Sequence, residues 1–119
     1  MKEITIDGIV YIPKGSIKTP ALKLKTMPYV IVRTYSAGVF AGYLEKRNGQ
    51  EVILRKARRL WYWKGAASLS QLAEEGVKNP KECKFPCEVN KVELLQAVEI
   101  LDVTKEAQDI INQVPIWKE

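Results

Sequence analysis

A chain of 119 residues can bury one hydrophobic core and has no room for a second. It contains no histidine, which removes the commonest general base and the commonest metal ligand and excludes Ser–His–Asp and Cys–His catalysis. A formal charge of +5 favours anionic partners but is too mild to establish nucleic-acid binding by itself.

The opening residues, Met1-Lys2-Glu3-Ile4, carry an acid where a secretion signal needs a basic start, so the chain reads as cytoplasmic. Ile4 to Pro13 reads as two short strands about Asp7-Gly8. From Lys14 to Thr26 the pattern dissolves into Lys, Gly, Ser, Pro and Thr, as expected of a mobile connection. Residues 1–27 are therefore an N-terminal hairpin and linker, and residues 28–119 a single ligand-binding domain.

Tyr29 to Tyr35 is β-branched and aromatic, hence a strand, and Ser36-Ala37-Gly38 turns it back into Val39–Glu45. Asn48-Gly49 marks the next hairpin, because both of its turn residues need positive φ. Glu51–Ala57 returns, and Arg58–Trp63 continues it or pairs as a further strand. Ser68 and Gln71 have capping-box spacing for a helix that Gly76 would stop. After a loop from Pro80 to Pro86, Val92–Leu101 reads as one strand, although a helix also fits. Thr104 caps a last helix, closed by Pro115, whose buried side is Ala107, Ile110, Ile111 and Val114. The fold class is α+β: an antiparallel β-meander sheet packed by two helices, with the N-terminal hairpin as an appendage.

No local signature points to catalysis, and no cofactor motif is present. Gly38, Gly42 and Gly49 have the wrong spacing for a phosphate loop. Cys83 and Cys87 cannot complete a tetrahedral zinc site within one histidine-free chain. They read as reduced thiols, or as half of a zinc site shared across a symmetric dimer.

The chemistry gathers at Arg55-Lys56-Ala57-Arg58-Arg59-Leu60-Trp61-Tyr62-Trp63. If this stretch is extended, Arg55, Arg59, Trp61 and Trp63 share one face, and Arg58 and Tyr62 the other. Guanidinium groups bind phosphate oxygens bidentately and indoles stack on nucleobases, so the pattern suits a nucleotide. The structural alternative makes the tryptophans core and the arginines edge charges. Arg33 and Tyr35 would add a charge and a ring from a neighbouring strand. Lys84 and Phe85 sit in a Pro-bounded loop that could close over a ligand, and Asn90 could read a base edge or cap a turn.

The stretches from Val30 to Val39 and from Ala57 to Ala66 resemble a family of small phage proteins, that of the type I Thoeris anti-defence sponge. The resemblance runs from about Pro28 to Val114. It implies a phage protein in the host cytoplasm that binds cyclic ADP-ribose isomers made by TIR-domain enzymes and leaves them intact. It also implies a homodimer or a larger assembly of dimers, with a separate site for cyclic oligonucleotides in some members. It implies neither a membrane nor a nucleic acid as partner. The alternative is a nucleic-acid-associated phage accessory protein using the same basic-aromatic strand.

Overall fold

The structure, a computed structural model, describes residues 18–119 and, before them, the two strands β1 (Ile4–Ile6) and β2 (Ile9–Tyr11). These pair antiparallel, with Ile4 opposite Tyr11, as expected of a hairpin. The Asp7-Gly8 turn and the first part of the connection, residues 14–17, lie outside the described residues.

A five-stranded antiparallel sheet forms the body: β3 (Tyr29–Thr34), β4 (Val39–Asn48), β5 (Glu51–Arg59), β6 (Glu88–Leu94) and β7 (Ala97–Asp102). The strand order is β6-β5-β4-β3-β7. Two helices, α1 (Leu69–Glu75) and α2 (Lys105–Gln113), cover one face. The α+β meander sheet packed by two helices is therefore the observed architecture. No helix among the described residues is long and apolar enough to cross a membrane.

One expected element is split. Val92–Leu101 is two strands broken at Leu95-Gln96, and its halves pair with opposite edges of the sheet, β6 with β5 and β7 with β3. The reason is parity. Leu94 and Ala97 are both buried in the same cluster, and two residues three apart cannot face one side of a continuous strand. The corner is fixed by Tyr35 N–H donating to the Gln96 carbonyl (2.9 Å) and Ala97 N–H donating to that of Gln50 (3.0 Å). The sheet consequently curls on itself and acquires an inside.

The inside is filled by Val30, Val32, Phe40, Val52, Leu54, Ala57, Leu94 and Ala97. The outer face of β3 and β4 presents Tyr29, Ile31 and Ala41 to a second core with Leu72, Phe85, Ala107 and Ile111. β3 alternates between the two and is buried on both sides. At roughly 1.5–3 kcal/mol for each large apolar side chain fully buried, these two clusters are the main favourable term in folding.

Both helices begin as expected. Ser68 Oγ accepts from Gln71 N–H (3.1 Å), and Thr104 Oγ1 accepts from Ala107 N–H (3.1 Å) while donating to the Glu74 carbonyl (2.6 Å). Gly65 stands between β5 and α1 at φ +97°, where an added Cβ would lie 2.5 Å from Lys78 N, so no other residue fits without moving backbone.

Residues 18–26, expected to belong to a mobile connection, are tied down. Ala21 N–H donates to the Val103 carbonyl (2.9 Å) and Lys105 N–H to that of Thr19 (2.8 Å). The buried Gln108 amide accepts from Leu22 N–H (2.8 Å) and donates to the Leu22 carbonyl (3.0 Å), pairing as a neighbouring strand would. A single buried glutamine thus replaces a sheet partner, which composition cannot reveal.

Candidate functional site

The arginine–tryptophan stretch does not keep strict alternation. Ala41 faces Arg58 and Tyr43 faces Arg55, so Lys56 and Ala57 together oppose Gly42. This is a β-bulge, with Lys56 at φ +48°. Gly42 lets the strands approach closely there, since a Cβ would sit 3.1 Å from Ala57 Cα and 3.1 Å from the Arg55 carbonyl, a tight fit. The bulge resets the faces: Arg55 and Arg58 share the helix side, and Arg59 lies on the other, its guanidinium 4.6 Å from the Phe40 ring centroid. The expected pairing of Arg55 with Arg59 is corrected accordingly.

Arg58, expected to grip phosphate, is buried and grips backbone. Its Nε donates to the Pro86 carbonyl (2.9 Å) and Nη1 to Ile111 (2.7 Å). Nη2 is shared among Phe85 (3.1 Å), Val114 (2.7 Å) and Pro115 (3.2 Å). Burial pulls the guanidinium below its ordinary value, opposed by Tyr29, Glu88 and Cys87, yet arginine remains a cation at neutral pH. That cation meets the carbonyl end of α2, where the helix dipole favours it. Arg58 is a fastener between sheet, loop and helix.

The other candidates scatter. Phe85 is fully buried and belongs to the helix-side core, so it does not close over a ligand. Arg33 pairs with Glu99 (3.0 Å) and Arg55 with Glu45 (2.8 Å), both at the surface. Tyr35 is 80% exposed at the end of β3, and Asn90 is exposed on the edge strand β6. Trp63 is half-buried against the helix-side core, whereas Trp61 is 63% exposed. Cys83 is buried and Cys87 exposed, and both are free thiols.

What the fold does bring together is a small ribbon that sequence reasoning missed. Tyr62 and Lys84 exchange backbone hydrogen bonds (3.2 and 2.7 Å), and Ile116 pairs in parallel with Phe85, with Trp117 N–H donating to the Phe85 carbonyl (3.0 Å). Phe85 points inward. Its neighbours build an exposed aromatic–cationic surface: Trp61 and Trp117 are parallel within 4° with ring centroids 6.4 Å apart. The Lys84 ammonium lies 5.8 Å from the Tyr62 ring centroid and 5.7 Å from that of Trp117. Among the described residues Lys84 has no carboxylate partner. Parallel indoles accept a flat heterocycle, and an unpaired ammonium accepts an anion.

Three further concavities surround the β6–β7 corner, the largest about 550 Å³ and open to solvent between the β4–β5 turn and β7. Arg47 and Glu99 are its charged groups, and Glu99 is already held by Arg33.

Residues 27–111 match the family described as a domain of unknown function, DUF6948. The chain belongs to this family. The DUF6948 stretch runs from just before β3 into α2, so it contains Trp61, Tyr62 and Lys84 but ends before Trp117. No curated protein and no solved structure matches the chain significantly.

Proposed function

We propose that the chain captures a small anionic nucleotide of the cyclic ADP-ribose type on the Trp61–Tyr62–Lys84–Trp117 surface and holds it without chemical change. The observation that carries this reading is the parallel indole pair beside the Lys84 ammonium, which has no carboxylate partner among the described residues. Stacking contributes about 1–3 kcal/mol per base and a charge-assisted phosphate contact about 1.5–3 kcal/mol. Sequestration below micromolar signal levels needs more than about 8 kcal/mol. An open surface on one copy falls short of that, so the reading includes a homodimer whose second copy helps to enclose the ligand.

The resemblance to the Thoeris sponges adds the biological setting: a phage anti-defence protein in the host cytoplasm that withholds the activating signal from its effector. The test is to mix the protein with TIR-generated cyclic ADP-ribose isomers, filter, and assay both the filtrate and the ligand released by heating. Depleted filtrate and intact released ligand are the expected result; a consumed ligand indicates an enzyme. Trp61→Ala and Lys84→Ala are each expected to weaken capture about tenfold with little change in melting temperature, since both side chains are exposed. A binder of single-stranded nucleic acid would instead lose affinity steeply with salt.

A further inference from the structure

We propose that the strap at Ile116-Trp117 is the specificity element of this surface, selecting ligands that carry a planar heterocycle over sugar phosphates that do not. The proposal rests on the nucleotide-binding reading above and concerns the same surface.

The strap is held by its backbone. Val114 and Pro115 carbonyls accept from Arg58, Ile116 pairs with Phe85, and Trp117 N–H donates to the Phe85 carbonyl. Its side chains are left outside, Ile116 at 55% and Trp117 at 46% exposure. A tryptophan that serves only as an anchor buries its indole, because that burial is the favourable term. Here the anchoring is done by hydrogen bonds, and the ring is set parallel to Trp61 at the water interface.

Lys84 is near enough to Trp117 for an anion at the ammonium and a heterocycle on the indoles to belong to one molecule. A sugar phosphate engages the ammonium alone. Trp117 lies beyond residues 27–111, the stretch that matches the DUF6948 family.

The experiment is equilibrium dialysis of ADP-ribose, cyclic ADP-ribose and ribose 5-phosphate against the full chain, Trp117→Ala, Trp117→Phe and Trp61→Ala. Melting temperature is measured in parallel. Trp117→Ala is expected to lose tenfold or more in affinity for both adenine-bearing ligands. It should bind ribose 5-phosphate as the parent does, Trp117→Phe should recover much of the loss, and all variants should melt near the parent. If Trp117→Ala matches the parent on the adenine ligands while Trp61→Ala does not, the strap proposal falls and the surface reading stands. An equal loss for ribose 5-phosphate also overturns it, because the strap would then serve the anion. A parent that binds none of the three overturns both.

Discussion

Arg58→Ala is expected to lower folding stability by about 3–5 kcal/mol, a large share of the 5–15 kcal/mol that domains usually have. The guanidinium serves five carbonyls from the Pro-bounded loop, the end of α2 and the residues after it. Removing it leaves buried acceptors without a donor, which costs about 1–3 kcal/mol each where water cannot replace it. Arg58→Lys should recover little, because one ammonium cannot span carbonyls that a planar fork reaches together. Urea unfolding is the measurement, and a variant with the parent's midpoint would show that the fastener contributes nothing.

Phe85→Ala is the second large effect, also about 3–5 kcal/mol, through the cavity left under the ribbon. For a domain near 100 residues this lowers the melting temperature by well over about 10 °C. Trp61→Ala, removing a larger but exposed ring, should barely move it. The two large effects should not add. Arg58 donates to the Phe85 carbonyl and its guanidinium lies 5.5 Å from the Phe85 ring centroid, so each variant already weakens what the other loses. Full additivity in the double variant would mean that the contact carries no coupling.

Much of the fold was legible because its signals are local. Asn48-Gly49, the Ser68 and Thr104 caps and the spacing of Ala107, Ile110 and Ile111 each act within a few residues. The illegible parts depend on partners distant in sequence. The Lys56 bulge packs closely over Gly42, on another strand, where a side chain would crowd it. Arg58 looked like a phosphate ligand because its chemistry is the same toward carbonyl oxygens, and only α2 and the loop decide which it meets. Trp61 was a candidate in the sequence, but its stacking partner Trp117 lies 56 positions away and is brought beside it by pairing with Phe85. A Pro-Ile-Trp run carries no sign of that.

The broken strand also has a kinetic consequence. β3, β4 and β5 can zip from their own turns, whereas the seam between β3 and β7 joins Arg33 to Glu99 across 66 residues. Joining residues so far apart in sequence carries a larger loop-closure cost than the hairpins do, so this seam is expected to close late in folding. Contacts made after the rate-limiting step govern unfolding. Gln96→Gly, which loosens the corner, should therefore speed unfolding more than it slows folding in a stopped-flow chevron, and a mainly slowed folding limb would place closure early.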